Sequence, residues 1–494
     1  MLLLRWGKGL QGQLLEGMRP SPQLVVAARK AQYGVRPIAL WGFPERVVYR
    51  ALVDFILRNE EPLDRSPAAY LQFVGGPVSY ARELEPRNAG LVLGFRVGGS
   101  ELKYVVQSDI ASFYEHVDHG VLTRELLAKT GDHEPIEALR DLLAEVEGRG
   151  YGLPQLLDPS DRLSEVYIDI VERDLVRRGW PTWRFNDDFR IAARSFSEVL
   201  ACLEDLAAAS RQVGLNLSEA KTTTPRFSTY AFKHFSLQVD DEIPSELSLD
   251  DPSDLVGDYT EGVGDADPTW AIELLRNAWS PESIPTDSEA AGLDLLTVHG
   301  DDFRQLRRAL GRMIAVGAVE PLQHMTKFFA YTPSLTPWLC RYVIAAGASD
   351  SAAAAEILDA VIAKLSLGDW QRVWIVRALD ELNLLDPGAP GVVGRRAGWV
   401  AELQHGRYAE YLGAEALLAL ARPGLADALD IDHGLRERPA VLMPWHLAAV
   451  ARMHTNGKLT NQEYAAYREE GSLQRALLPR LPAQSEARTA SNGQ

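Results

Sequence analysis

Three aspartates in the first half of the chain have surroundings that suit metal-dependent chemistry. Asp109 ends the apolar run YVVQSDI, and Asp187 and Asp188 stand between the apolar runs of WRFNDDFRIAA. Adjacent carboxylates repel each other, and a divalent cation relieves that cost. Oxygen-only ligands favour Mg²⁺, for which Mn²⁺ can substitute. Two such ions, held by the three aspartates, would clamp the attacking and leaving oxygens of a phosphoryl transfer.

The elements around these residues must bring them together. The β-branched run at residues 104–110 predicts a strand that ends near Asp109, and the apolar residues around Asp187 and Asp188 predict a β-hairpin with the pair at its tip. An ordinary turn with solvated acids is the alternative for any single Asp-Asp pair. The order of segments argues against it: strand–Asp–aromatic, then GLPQ, then aromatic–x–Asp–Asp, then GLNLSEAKT.

This order resembles the palm of reverse transcriptases over about residues 30–235. The similar segments are VRPIALWGFPERVV (35–48) for a fingers motif, SDIASFY (108–114) for motif A, GLPQLLDPSDRLSEVYI (152–168) for motif B, FNDD (185–188) for motif C and GLNLSEAKT (214–222) for motif D. The pattern is similar to the bacterial group II intron, retron and abortive-infection enzymes. A helical second half favours the last of these, the phage-defence branch.

The resemblance implies a catalytic and metal-binding role for the aspartates. Asp109, Asp187 and Asp188 would hold two Mg²⁺ ions, and the backbone carbonyl of Ile110 would be a further ligand. Lys221 would lie near the leaving pyrophosphate, where it could donate a proton or neutralise charge. A solvated helix end is the alternative for Lys221.

Three more residues would contact the incoming dNTP if the resemblance holds. Arg36 would pair with the triphosphate, since a planar guanidinium suits bidentate phosphate contact. Tyr114 would stack under the sugar and exclude a 2′-hydroxyl, with core packing as its alternative. Gln155 would support the nascent base pair.

The sequence departs from the family pattern after Gln155, where Leu156 replaces the usual glycine. Either the template strand takes a shifted path, or DNA is extended with loose or no templating, or Leu156 packs into the palm. His116 and His119 form an HxxH pair beside Asp109, but no second ligand pair accompanies them. We therefore expect solvated histidines on a helix face and not a zinc site.

Composition restricts the class of protein. The chain has 494 residues, of which 46% are hydrophobic and 24% charged, so wholesale disorder is excluded. Two cysteines cannot build a disulfide framework or a four-cysteine zinc site. Without an 18-residue apolar run or a signal-like start, we expect a soluble cytoplasmic protein with no membrane partner.

The net charge of −17 is unevenly distributed. Residues 1–240 contain 29 Lys and Arg against 32 Asp and Glu, whereas residues 241–494 contain 22 against 36. The first 50 residues carry eight basic and two acidic side chains. Such a locally basic segment is compatible with a nucleic-acid partner on an acidic chain.

These patterns predict an α+β reverse-transcriptase palm and fingers followed by an all-α helical-repeat (HEAT-like) domain. The predicted boundaries are 1–240 for fingers and palm, 241–268 for an acidic linker or loop, 269–480 for the helical repeats and 481–494 for a disordered tail. The repeats are supported by apolar residues at helical spacing, such as Ile357, Leu358 and Val361, in stretches that are separated by Pro- and Gly-containing segments.

The predicted function is RNA-directed DNA polymerase, a nucleotidyltransferase that uses dNTPs and acts in antiphage defence, with protein-primed or untemplated synthesis left open. The alternatives are a retron-like enzyme that copies a dedicated partner RNA, and a degenerate palm that serves as an RNA-binding scaffold. The predicted partners are dNTPs, an RNA or DNA strand, a non-coding RNA, and a second copy of the chain bound through the helical repeats.

Overall fold

The computed structural model describes the chain in two compact units. One unit comprises Met1–Arg19, Leu24–Gly42 and Ser248–Gln494, and the other comprises Pro20–Gln23 and Phe43–Leu247. The described residues are 10–12, 14, 17, 19–30, 34–84, 101–239, 300–320, 322, 325–405, 408–437 and 439–479. The predicted acidic linker and the predicted tail lie outside them.

The helices and strands of the described residues are numbered along the chain. The strands are β1 (Leu24–Arg29), β2 (Val35–Leu40), β3 (Tyr104–Asp109), β4 (Thr182–Phe185) and β5 (Asp188–Ala193). The helices before residue 240 are α1 (Phe43–Ile56), α2 (Pro67–Leu84), α3 (Phe113–His116), α4 (His119–Thr130), α5 (His133–Glu147), α6 (Asp158–Arg177), α7 (Phe196–Gln212) and α8 (Phe227–Val239). The later helices are α9 (Gly300–Val316), α10 (Met325–Tyr331), α11 (Thr336–Gly347), α12 (Ser351–Lys364), α13 (Asp369–Glu381), α14 (Val393–His405), α15 (Glu410–Ala421), α16 (Ala428–Glu437), α17 (Met443–Thr455), α18 (Asn461–Glu469) and α19 (Ser472–Leu477).

A three-stranded antiparallel sheet, in the order β3-β5-β4, organises the unit that contains residues 43–247. Its strands are rich in β-branched and aromatic residues, which favour a pleated, half-buried surface. Val105, Val106 and Ile191 are fully buried. Since successive side chains of a strand point to opposite faces, the sheet buries both faces. This burial fixes the register, in which Asp109 lies opposite Asp188.

Helices cover this sheet. Tyr70 and Phe73 of α2 form a buried cluster with Val105 of β3 and Phe185 of β4. Helix α7 packs on β3 and β5, and α6 packs on β4. A segment after α7 joins the free edge of β3 through isolated bridges from Leu217 and Thr223. The unit is therefore α+β, as the sequence predicts for this part of the chain.

The other unit contains a row of stacked helices, in which each helix of the row packs on the helix two places further along the chain. Helix α9 packs on α11, α11 on α13, α13 on α15, and α15 on α17. The intervening helices lie beside this row, as α12 does against α11 and α14 does against α15. This arrangement is typical of helical repeats. It agrees with the predicted all-α region over the described residues after 299.

The β1–β2 hairpin clusters with these helices, although the sequence pattern groups it with the fingers. Val26 and Ala28 of β1 are buried against Trp370 of α13. The hairpin thus buries its apolar face on a helix that follows it by more than 300 residues. Within the described residues, no helix combines the length and apolar character needed to cross a membrane.

Candidate metal centre

The sheet brings the three predicted aspartates together. Asp109 is the last residue of β3 and pairs with Asp188, the first residue of β5, while Asp187 lies in the turn that leads into β5. One carboxylate oxygen from each of the three lies within 4.8 Å of those of the other two. The Ile110 backbone N–H donates to the Asp187 carbonyl at 3.3 Å, which ties the end of β3 to the turn.

Electrostatics at this cluster oppose full ionisation. Asp109 is 6% exposed. Burial, and then the neighbouring charge of Asp187, raises the pKa of Asp109 to about 7, although Lys221 acts in the opposite direction. Three carboxylates that together supply only oxygen ligands fit a hard divalent cation such as Mg²⁺. A cation would also relieve the repulsion that raises the pKa of Asp109.

Two basic side chains contact the cluster. Lys221 Nζ lies 3.3 Å from an Asp109 carboxylate oxygen, and the Lys221 side chain is 54% exposed. Lys221 is the last residue of a short 3₁₀ turn. Ser218, the residue before this turn, donates its N–H to the Asp109 carbonyl at 2.7 Å. The structure therefore brings Lys221 to the aspartates, while its role in catalysis stays a prediction.

The second basic side chain, Arg190, was not among the residues predicted from the sequence. Its Nη1 lies 3.7 Å from an Asp188 oxygen, and its guanidinium stacks at 4.9 Å on the Phe73 ring. Arg190 is only 7% exposed. Its sequence signal is a charge two residues after the aspartate pair, inside an otherwise apolar strand.

Arg184 holds the turn that carries the aspartate pair, and it too was not predicted from the sequence. It donates from Nη1 to the Asn186 carbonyl at 3.0 Å and from Nε to Glu172 of α6 at 2.8 Å. It also pairs with Glu165 of the same helix, and its side chain is 7% exposed. Asn186 has φ of 54°, a left-handed conformation that asparagine tolerates better than most residues. The turn is thus fixed to α6 by a buried guanidinium.

Tyr114 lies on the segment that follows Asp109, in the short helix α3. Its hydroxyl donates to Asp161 of α6 at 2.6 Å, and Arg65 pairs with the same carboxylate at 3.3 Å. Burial, and then the Asp161 charge, raises the Tyr114 pKa well above its ordinary value. The ring is half-buried and held at its hydroxyl end. Its predicted contact with a sugar stays a prediction.

The GLPQ segment runs antiparallel to the chain after Tyr114. Leu153 N–H donates to the Tyr114 carbonyl at 2.8 Å, and Gly152 N–H donates to the Val117 carbonyl at 2.8 Å. Gln155 and Leu156 form the turn that follows. Leu156 has φ of 71° and is 40% exposed, so it is not packed into the core. The turn keeps a backbone conformation that favours glycine even though leucine occupies it.

The expectation of two solvated histidines is wrong for His119. It is 3% exposed, and its Nε2 lies 2.7 Å from the Gly152 carbonyl, while His116 is exposed. Burial lowers the pKa of His119, which keeps the ring neutral with its Nε2–H directed at the carbonyl. His119 therefore anchors the GLPQ segment. Local sequence pattern could not show this because the two partners are 33 residues apart.

Arg36 is the one predicted dNTP ligand outside this unit. It lies in β2 opposite Ala28 and is half-buried. The hairpin that carries it belongs to the compact unit that also contains the helical stack. Contact between Arg36 and a triphosphate stays a prediction.

Comparisons with known proteins give structural likeness only. No protein-family model matches the sequence, and no curated protein does. Among solved structures, the chain is similar to apo telomerase from Candida tropicalis, with a TM-score of 0.31 and 10% identity over 90% of this chain and 74% of that one. A form of that enzyme truncated from the C-terminal domain matches with a TM-score of 0.27 and 11% identity over 42% of this chain and 50% of that one.

Telomerase from Candida albicans, in complex with the TWJ fragment of telomeric RNA, matches with a TM-score of 0.31 and 11% identity. That match covers 73% of this chain and 64% of the telomerase chain. The chain thus spans about half to three quarters of these structures. TM-scores near 0.3 define neither a family nor an activity, so any functional assignment depends on the geometry of the aspartate cluster.

Asp109→Asn should stabilise the metal-free protein in a pH-dependent way. The pKa of Asp109 is about 7 in the folded chain and near its ordinary 3.8 when unfolded, so ionisation of Asp109 costs the fold stability as pH rises through this window. We expect equal stability of variant and wild type near pH 4, and a gain on the order of 1 to 3 kcal/mol for the variant at pH 8. Denaturant unfolding in EDTA from pH 4 to 8 measures this.

Addition of Mg²⁺ at pH 8 is the internal control for that measurement. It should stabilise the wild type more than Asp109→Asn, since an amide is a weaker cation ligand than a carboxylate. A stability difference that does not change with pH would contradict the assigned environment of Asp109.

Leu156→Gly should stabilise the fold by about 1 kcal/mol, because glycine adopts a φ of 71° without the steric cost that leucine bears. The matched control is Leu157→Gly, at a φ of −116°. It should destabilise the fold, because glycine relieves no backbone strain there and only increases the conformational entropy of the unfolded chain. Chemical denaturation of both variants tests this. Equal losses for the two would mean that Leu156 packs more than its exposure indicates.

Proposed function

We propose that this chain is a DNA polymerase of the reverse transcriptase class, which transfers nucleotides from dNTPs to a growing DNA strand. One observation carries the proposal: Asp109 and Asp188 are paired at the ends of adjacent strands, with Asp187 in the turn beside them. Nucleotidyl transfer by two metal ions needs several carboxylates converging on one point. The order of sequence motifs around these residues adds the resemblance to reverse transcriptases.

The proposed metal ligands are the three aspartates and the carbonyl of Ile110. Two Mg²⁺ ions held there would neutralise phosphate charge and activate the attacking hydroxyl. Lys221, beside Asp109, would carry the positive charge that a departing pyrophosphate needs. Arg184, which braces the turn before Asp187, would keep the ligand set in place during turnover.

The proposed substrate contacts come from three separate segments. Tyr114 would present its ring to the sugar, with its hydroxyl fixed by Asp161. Gln155 would face the nascent base pair from the turn after GLPQ. Arg36 would pair with the triphosphate. A nucleic-acid strand, RNA or DNA, would be the partner that this chemistry requires.

The proposal extends to antiphage defence and to synthesis with loose or no templating. The motif pattern and the helical stack support the defence branch. The templating proposal is supported by Leu156, whose exposed side chain stands where related enzymes have glycine and would crowd a template backbone. Self-assembly would use the helical stack, since repeat proteins have extended faces.

The simultaneous change Asp187→Ala and Asp188→Ala should abolish nucleotide incorporation, a loss of at least about 1000-fold, because two of the three carboxylate ligands are removed. Labelled dNTPs and Mg²⁺ are supplied to purified protein, with and without added heteropolymer RNA. The matched control changes Glu60 and Glu61, an adjacent acidic pair of the same unit, to alanine and should retain activity. Phage plating with the same variants reports on defence.

The products of that assay separate the alternatives. A faithful copy of added RNA supports templated synthesis, a biased or random product supports untemplated synthesis, and a product linked to the chain supports protein priming. Normal incorporation by the doubly substituted protein at matched folding would end the polymerase proposal. Nucleic-acid binding with no incorporation under any condition would favour the RNA-binding scaffold.

Tyr114→Ala should raise the use of rNTPs relative to dNTPs by about ten-fold, which corresponds to a clash of about 1.4 kcal/mol with the 2′-hydroxyl. Tyr114→Phe is the control, because it keeps the ring and removes only the hydroxyl that bonds Asp161. Competition between the two nucleotide types measures the ratio in each variant. A ratio unchanged in Tyr114→Ala would assign the ring to packing.

A further inference from the structure

An exposed tyrosine lies just before the GLPQ segment. The Tyr151 side chain is 47% exposed, and the guanidinium carbon of Arg149 lies 4.7 Å from its ring centroid. Among the described residues, no other aromatic ring stacks on Tyr151. The Tyr151 ring therefore combines an arginine neighbour with an accessible surface, the two features that a base-stacking site uses.

The backbone at Tyr151 is fixed from several sides. Tyr151 forms an isolated antiparallel bridge with Asp118, and the His119 N–H donates to the Gly150 carbonyl at 3.0 Å. On the other side, buried His119 holds the Gly152 carbonyl through Nε2. Because the backbone is already rigid, stacking of a base on Tyr151 would cost the protein little conformational entropy.

The acidic neighbours of this pair are already engaged. Asp118 caps α4 by accepting the Val121 N–H at 2.8 Å. Glu147, 3.4 Å from Arg149, has a side chain that is only 3% exposed and binds Gln23 at 2.6 Å. Arg149 pairs with Glu147 through Nη2 and keeps a side chain that is 39% exposed.

The pair is also close along the chain to residues of the candidate site. Tyr151 precedes Gln155 by four residues, a span of at most about 15 Å along the chain. The same segment is hydrogen-bonded to Tyr114, five residues after Asp109. A strand that reached the aspartates past the exposed Leu156 turn would find Tyr151 within a few nucleotides.

We propose that Arg149 and Tyr151 form a stacking platform for single-stranded nucleic acid, with one base on the Tyr151 ring and Arg149 contacting the adjacent phosphate. The binding itself stands on these contacts, and the destination of the strand rests on the proposed polymerase function. Stacking recognises the π-face that every base has, so the platform would bind strands of any sequence.

The platform is tested by measuring binding of the full-length chain to labelled single-stranded RNA and DNA. Strands of about 20 nucleotides are long enough, since they exceed the site size of a single stacking groove. Fluorescence anisotropy in EDTA keeps catalysis out of the measurement. Tyr151→Ala should weaken binding about five-fold or more, whereas Tyr151→Phe should bind like the wild type because it keeps the ring. Arg149→Ala should weaken binding and reduce the salt dependence by about one phosphate contact.

A second exposed arginine–aromatic pair provides a matched control. Phe55 is 51% exposed, with the guanidinium carbon of Arg58 4.4 Å from its ring centroid, at the end of α1. Phe55→Ala should leave affinity unchanged. An equal loss in Phe55→Ala and Tyr151→Ala, wild-type affinity in Tyr151→Ala, or equal affinity for a duplex competitor would each overturn the platform.

The same proteins separate this inference from the polymerase proposal. Binding that depends on Tyr151 without any dNTP incorporation would refute the polymerase and support the platform. Incorporation by the wild type together with full strand binding by Tyr151→Ala would do the reverse. A wild type that binds no single strand would overturn the platform whatever its activity.

Discussion

The site depends on the register between β3 and β5, which places Asp109 directly opposite Asp188. Register is set by the close packing of the buried residues further along the two strands, because a slip of one position would bring side chains that fit one buried face against the other. The carboxylates of Asp109 and Asp188 are therefore kept together by residues that do not touch them. These residues are Val105, Val106 and Ile191, which fix the register from further along the strands. Core packing stabilises the arrangement and offsets the repulsion that the site concentrates at one edge of the sheet.

Basic residues balance this repulsion without removing it. Lys221 and Arg190 each approach one carboxylate, but burial and the remaining negative charge still raise the pKa of Asp109. Arg184 acts differently, since it binds the turn backbone and two carboxylates of α6 and leaves the aspartates unneutralised. The fold thus keeps a cluster of oxygen ligands with residual negative charge, which is what a divalent cation requires.

The parts of the site predictable from sequence are those encoded by local pattern. The strand ending at Asp109 and the hairpin tip at Asp187 were predictable because apolar runs flank them on both sides. Contacts such as Tyr114 with Asp161, 47 residues apart, leave no periodic signal in the sequence. The same reason explains why burial of His119 was not predicted. A polar ring is expected in solvent, and its partner, the Gly152 carbonyl, is 33 residues away in the sequence. The HEAT-like class and the predicted domain boundaries stay predictions.

The turn at Leu156 shows how backbone path and side chain can be set by different constraints. The path is imposed from outside: His119 and the backbone of α3 hold the preceding segment, and α6 begins at Asp158 immediately after the turn. With both ends fixed, Leu156 adopts a left-handed conformation, at a cost of about 1 to 2 kcal/mol. A residue chosen for stability alone would be glycine. Since the leucine is 40% exposed and absent from the buried core, packing does not offset that cost, and the effect of leucine at this position is on the surface that follows the GLPQ segment.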